Sequence, residues 1–116
     1  MDITLDASGP VAIVGVAGRL TGETAGEFER KLLGVIETHP GSVLVDAAGL
    51  HYIGSAGIRV LFLALRALTG ARRSLAFCSL DAPVRSVFEM VHLDQEFQTF
   101  PTRRDALEAL ARDAEG

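Results

Sequence analysis

The sequence is poor in cysteine and in long hydrophobic runs, and each shortage excludes a class of protein. The single cysteine, Cys78, cannot form a disulfide within the chain, which favours a reducing compartment. The longest apolar run, residues 60–65, is far too short to cross a bilayer. The first residues lack the basic and apolar regions of a signal peptide. We therefore expect a cytoplasmic protein with no membrane insertion.

Basic residues are also scarce, because 11 Lys and Arg face 15 Asp and Glu, for a net charge of -4. Nucleic acids and anionic membranes select for basic surfaces, so we expect no nucleic acid as the main partner. The hydrophobic share of 48% indicates a folded globule rather than a disordered chain. A length of 116 residues predicts a single domain spanning residues 1–116.

Motifs for nucleotide, redox and metal chemistry are absent from the sequence. There is no P-loop, no complete G-x-G-x-x-G and no C-x-x-C, and the three histidines lack zinc-ligand spacing. Asp46 ends a central strand, as in phosphate-receiver domains, but the acidic pair and late lysine of that chemistry are missing. We predict no enzyme activity, no catalytic residue, no metal and no cofactor.

Strand and helix patterns alternate along the chain after an N-terminal hairpin. Alternating Ile3 and Leu5 predict a first strand, and residues 11–16 predict its hairpin partner. Further strands are predicted at residues 43–45, 75–78 and 97–100, between helices that begin near Thr24, Ser55, Asp81 and Thr102. Thr24 and Asp81 are the predicted N-caps of their helices. This order predicts an α/β fold: a mixed, mostly parallel five-stranded sheet with an N-terminal β-hairpin and four helices.

The candidate site lies in residues 42–69. An apolar strand ends at Asp46, a loop is predicted over residues 47–54, and a long helical pattern begins at Ser55. Asp46 is predicted to accept hydrogen bonds from loop N–H groups and so to shape the turn. Ser55 has two interpretations at this point, a helix cap or a functional hydroxyl.

One face of the predicted helix points away from its apolar side. At about 100° per residue, Arg59, Phe62 and Arg66 lie within about 40° of the direction of Ser55. Arginine beside exposed apolar residues is typical of protein interfaces. The face therefore predicts a contact surface for another protein.

The segment V-L-V-D-A-A-G-L-H-Y-I-G-S-A-G-I-R-V-L resembles the signature of the STAS domain, the fold of bacterial anti-sigma factor antagonists. In that family a strand ending in aspartate leads to a serine that opens a helix and is phosphorylated by a partner kinase. Asp46, Ser55 and Gly57 match the aspartate, the serine and the glycine two residues on. Weaker similarity at residues 11–21 and 81–93 extends the resemblance over nearly the whole chain.

The resemblance implies partner switching by a non-enzymatic binding module. The unphosphorylated chain would bind an anti-sigma factor serine kinase, phosphorylation of Ser55 would release it, and a serine phosphatase would reset it. The implied partner-binding residues lie in the turn after the second strand, before the serine and along the outward helix face. They are Gly18, Arg19, Leu20, Thr21, Tyr52, Gly54, Ser55, Ala56, Gly57, Arg59, Phe62 and Arg66.

Two positions depart from the family pattern, since Arg19 and Gly54 stand where antagonists often carry an acid. One alternative is therefore a constitutive STAS scaffold in a transporter or signalling complex. A second is a small enzyme that uses Ser55 or His51, although the G-x-S-x-G frame of a nucleophile elbow is absent.

Overall fold

A five-stranded sheet forms the centre of the computed structural model, which describes residues 1–115. In chain order the elements are β1 Asp2–Ser8, β2 Val11–Leu20, α1 Ala25–Thr38, β3 Val43–Ile53, α2 Ser55–Gly70, β4 Leu75–Cys78, α3 Ala82–Met90, α4 Leu93–Glu96, β5 Gln98–Phe100 and α5 Arg103–Glu115. The strands lie side by side in chain order, with β1 antiparallel to β2 and every later pair parallel. The predicted mixed sheet with an N-terminal hairpin is confirmed.

The two faces of the sheet are covered unequally. Successive side chains of a strand point to opposite faces, so Val43 and Val45 join the larger core while Leu44 joins the smaller one. Helices α1, α2, α3 and α4 supply buried residues to the larger core, and α5 supplies Ala106 and Leu110 to the smaller one. Helix α2 therefore lies among other helices with one side left toward solvent.

Both strands that lead to the candidate site are longer than predicted. The glycine at position 18 does not end β2, which continues to Leu20. The predicted loop over residues 47–54 is wrong, because β3 continues to Ile53. Only Gly54 separates this strand from the helix that follows.

Bulges in β3 explain why its second half did not look like a strand. Gly15 pairs with Asp46, but the next pair in the register is Ala17 with Gly49, so β3 contains an additional residue. A second shift of the same kind precedes Tyr52. Each bulge breaks the two-residue alternation by which a strand is recognised in sequence.

The structure has five helices within residues 1–115 rather than the four predicted. The additional helix, α4, is a single turn. His92 precedes it in a left-handed backbone conformation, φ 62°, so the chain turns away from the axis of α3 at this residue. The next residue, Leu93, is buried in the core. Such a short element leaves no periodicity by which to predict it.

Helix α2 approaches the end of β2 through a glycine. A Cβ atom on Gly57 would lie 2.5 Å from Cγ of Leu20, which is buried. Gly34 in α1 provides the contrast, because a Cβ there would have no atom within 4 Å. The helix start is therefore fixed by a close contact that only glycine permits.

We expect Gly57→Ala to lower the free energy of unfolding by about 1–3 kcal/mol through overpacking against Leu20. The matched change Gly34→Ala should raise it by about 0.5–1 kcal/mol, since alanine favours the helix and meets nothing. Urea denaturation followed by circular dichroism measures both. Equal effects of the two substitutions would contradict the close contact.

Candidate functional site

The two parts of the predicted partner-binding surface, the end of β2 and the residues around Ser55, meet where β2 and β3 end. Arg19 pairs with Tyr52 and Leu20 with Ile53 in the parallel register. The Gly54 N–H donates to the Leu20 carbonyl at 2.9 Å. The end of β2 and the start of α2 are thereby joined into one surface, although more than 30 residues separate them in sequence.

Thr24 holds the turn that leaves β2. Its hydroxyl accepts the Thr21 N–H at 2.8 Å and donates to the Arg19 carbonyl at 2.8 Å. Thr24 precedes α1 but makes no side-chain cap hydrogen bond to that helix, so its predicted capping role is replaced by a turn-stabilising one. The sequence signal was ambiguous because threonine is common both at caps and in turns.

Ser55 is the first residue of α2, and Gly54 occupies the N-cap position. Among the side-chain hydrogen bonds of residues 1–113, none involves the Ser55 hydroxyl, and the residue is exposed. The interpretation of Ser55 as a helix cap is therefore wrong. The hydroxyl is accessible for chemistry by another protein.

The N-terminus of α2 also offers open backbone donors. The first intrahelical bond runs from the Ile58 N–H to the Gly54 carbonyl at 3.1 Å. The N–H groups of Ser55, Ala56 and Gly57 precede it and have no acceptor within the helix. Together with the helix dipole they give this end a partial positive charge that favours anions.

The outward face predicted for α2 is exposed in the structure. Arg59, Phe62 and Arg66 are all exposed, like Ser55 one to three turns earlier. Phe62 keeps 39% of its surface accessible and contacts the ring of Phe97, with the centroids 6.1 Å apart. The face therefore combines accessible aromatic surface with guanidinium groups.

Arg59 is less free than its position suggested. Its Nη2 lies 3.0 Å from Oε1 of Glu29, which projects from α1. The Arg59 side chain is 64% exposed, so water screens this ion pair, and such pairs contribute at most about 1 kcal/mol. A stronger anion at the start of α2 could compete for Arg59.

A stacked pair lies beside Ser55. The guanidinium carbon of Arg19 lies 4.3 Å from the centroid of the Tyr52 ring, within the range of a cation–π interaction. A Cβ atom on Gly54 would lie 3.2 Å from the Tyr52 hydroxyl oxygen. The two departures from the family pattern therefore lie next to the same side chain: Arg19 stacks on the Tyr52 ring, and a side chain at position 54 would meet it.

Some predicted contact residues have a structural role instead. Leu20 is 1% exposed and Gly57 is buried against it, so neither residue is accessible to a partner in this conformation. Gly18 has φ 112°, a backbone conformation that favours glycine. The accessible candidates that remain are Arg19, Thr21, Tyr52, Gly54, Ser55, Ala56, Arg59, Phe62 and Arg66.

Asp46 lies inside β3 at the first bulge. Its Oδ1 accepts the Ala48 N–H at 3.1 Å, and its Oδ2 accepts from Nε of Arg103 at 2.7 Å. Asp46 therefore links the sheet to α5.

The single cysteine is a core residue next to Asp46 in the sheet, because Cys78 pairs with it in the parallel register. Burial, and secondly the Asp46 charge, raises the pKa of the Cys78 thiol to about 11. Cys78 therefore stays protonated at neutral pH.

His51 is held by a residue that the sequence did not connect to it. Its Nδ1 lies 3.0 Å from Oδ2 of Asp81, whose Oδ1 accepts the Val84 N–H and caps α3. The hydrogen bond with His51, and then that from Val84, holds the pKa of the Asp81 carboxyl below its usual range. Across the side chains of residues 1–113, no hydrogen bond joins His51 to Ser55, so the enzyme alternative lacks its activating contact.

No helix in residues 1–115 is both long and apolar enough to span a membrane. Over the same residues, no group of three or more His, Cys, Asp or Glu side chains is arranged to hold a metal ion.

Comparison with known proteins assigns the chain to a family. The STAS domain family matches residues 2–106, and the chain belongs to it. BtrV of Bordetella bronchiseptica, assigned as an anti-sigma factor antagonist, is 31% identical over 90 residues, covering 78% of each chain.

Solved structures share the fold at lower identity. A protein of Thermotoga maritima, assigned as an anti-sigma factor antagonist, has a TM-score of 0.87 and 17% identity over 94% of each chain. The antagonist SpoIIAA in its unphosphorylated form has a TM-score of 0.81 and 15% identity, covering 95% of this chain and 96% of its own. At such identities these two structures establish the fold alone.

We expect Arg103→Ala to lower the free energy of unfolding by about 1–2 kcal/mol, because it leaves the Asp46 carboxylate, 13% exposed, without its cation. Arg104→Ala is the matched control, since its pair with Glu108 joins exposed side chains and contributes about 0.3–0.5 kcal/mol. Chemical denaturation compares them. Equal losses would contradict a specific role for the Asp46–Arg103 pair.

The lowered pKa of Asp81 predicts an acid-dependent contribution to stability. The contribution is complete above the usual carboxyl pKa of 3.8 and is lost as the pH falls through the lower pKa of the folded chain. Asp81→Asn keeps a good N-cap but carries no charge. Thermal unfolding from pH 7 to pH 2 should show wild type more stable near neutrality and the two chains converging in acid. A difference that stays constant with pH would contradict this prediction.

Proposed function

We propose that this chain is an anti-sigma factor antagonist that acts by partner switching. In the unphosphorylated state it binds an anti-sigma factor serine kinase through the accessible residues around Ser55. The kinase uses ATP to phosphorylate Ser55, the complex dissociates, and a serine phosphatase restores the binding state. The chain itself is a binding module and performs no catalysis.

The observation that carries this proposal is that Ser55, the first residue of α2, is exposed and that its hydroxyl does not cap the helix. A serine that merely supported the helix would be expected to accept a hydrogen bond from its first turn. Ser55 instead leaves that turn without a side-chain acceptor. The similarity to BtrV, named as an anti-sigma factor antagonist, supports the same function.

Phosphorylation at this position is compatible with the folded state. A phosphate on Ser55 would meet the positive end of α2 and its open N–H groups, which favour an anion. Arg59, one turn further, is an exposed cation whose weak pair with Glu29 can exchange. The modification can therefore change the surface without unfolding the helix.

The modified surface would no longer suit the same partner. A phosphoserine adds about -1.5 to -2 charges, and a docked partner would have to desolvate them or leave them unpaired. Switching binding from nearly complete to nearly absent needs about 5.5 kcal/mol of differential affinity. A buried dianion with no matching cation on the partner is sufficient for a change of that size.

A constitutive STAS scaffold in a transporter or signalling complex is the second candidate. Arg19 and Gly54 favour it, because phosphorylated relatives often carry acids at these positions. Under this alternative, Ser55→Ala and Ser55→Glu would bind the partner with equal affinity. Under partner switching, Ser55→Ala keeps binding and Ser55→Glu loses it.

We expect a cognate kinase with ATP to transfer one phosphate per chain to Ser55, as located by mass spectrometry of the intact and digested protein. Ser55→Ala should remain unmodified, and Thr69→Ala, an exposed residue at the other end of α2, should be modified like wild type. Phosphate at another residue, or none from a kinase that is active on itself or another substrate, would contradict the proposal.

A further inference from the structure

Arg19 is an exposed cation that stacks on Tyr52, near the proposed phosphorylation site. We infer that the binding partner presents a carboxylate to Arg19, and that the stacked pair of Arg19 and Tyr52 selects this partner from related proteins. The inference rests on the proposed function and names the chemistry of the partner at that surface.

The charge of Arg19 is not neutralised within the described chain. Across the side chains of residues 1–113, Arg19 forms no salt bridge, whereas Arg59 on the neighbouring helix is paired with Glu29. Gly54 adds no acidic side chain beside the Tyr52 ring, and even a Cβ atom there would lie 3.2 Å from the Tyr52 hydroxyl oxygen. The Arg19 guanidinium is therefore available to an external carboxylate.

Stacking on Tyr52 prepares Arg19 for such a contact. A free arginine loses side-chain entropy when a partner fixes it, and stacking on the Tyr52 ring restricts the side chain before binding. The guanidinium presents planar, forked donors that match a carboxylate with two hydrogen bonds. Arg19 is therefore better placed to fix the geometry of a partner than a mobile surface arginine.

The surroundings have the composition of an interface centre. Tyr52 is 40% exposed and Phe62 is 39% exposed, and tyrosine and arginine are enriched among the residues that dominate binding energy. Arg66 adds a second exposed cation without a salt bridge in residues 1–113. The patch is basic, whereas the whole chain has a net charge of -4. An acidic partner surface would therefore be attracted to this patch rather than to the rest of the molecule.

A carboxylate opposite Arg19 would also provide selection against other partners. A kinase that carries a basic residue at this position would meet a like charge, which costs affinity and slows association. Positions 19 and 54 would then be specificity determinants, separate from the switch at Ser55. This chain would then bind weakly to kinases whose own antagonists carry acids at positions 19 and 54.

The test uses the full chain and the kinase shown to phosphorylate Ser55. Isothermal titration without ATP measures its affinity for wild type, Arg19→Gln and Arg19→Glu, with Arg104→Glu as a control on the other side of the sheet. We expect about tenfold weaker binding for Arg19→Gln and more than about 100-fold for Arg19→Glu. Arg104→Glu should stay within about twofold, because Arg104 is 87% exposed on α5. Circular dichroism checks that each variant is folded.

Charge exchange identifies the partner residue. Replacing surface acids of the kinase one at a time by arginine should yield one variant that restores binding to Arg19→Glu and weakens binding to wild type. Wild-type affinity for Arg19→Glu, with binding still abolished by phosphorylation of Ser55, would overturn the inference and leave the proposed function intact. Failure of unphosphorylated wild type to bind the kinase would overturn both.

Discussion

The hydrogen bond from the Gly54 N–H to the Leu20 carbonyl fixes where α2 begins. Below it, the Leu20 side chain lies so close to Gly57 that a Cβ atom could not be accommodated without a shift. These contacts place the first turn of α2 against the end of β2, which brings Arg19 and Tyr52 beside Ser55. Neither segment alone contains the proposed binding surface, so the surface depends on this junction.

Local sequence patterns were sufficient for much of the fold. The apolar spacing in α2 placed Ser55, Arg59, Phe62 and Arg66 on an exposed face, and Asp81 was correctly expected to cap its helix. The second half of β3 could not be predicted, because its bulges remove the alternation and are stabilised by pairing with β2. Interactions between distant residues left no local signal, as for Asp46 with Arg103, which are 57 positions apart.

The sequence predicted where the candidate site lies better than it predicted how the residues of the site interact. A resemblance to the STAS family identified Ser55 and the surrounding residues. It could not show that Gly54 takes the N-cap position, so that the Ser55 hydroxyl does not cap the helix. Nor did it connect Arg19 with Gly54, two departures that the Tyr52 ring brings together. The structure thus separates residues that hold the surface, such as Leu20, from residues that can contact a partner.

The proposed switch depends on a change of surface charge rather than of fold. The most direct measurement is the affinity of the cognate kinase for the unmodified chain and for the chain carrying phosphoserine at position 55, introduced during translation. Partner switching predicts tight binding of the unmodified chain and a loss on the order of 10⁴-fold for the phosphorylated one, with unchanged circular dichroism spectra. Equal affinity for the two forms would contradict it and favour a constitutive scaffold.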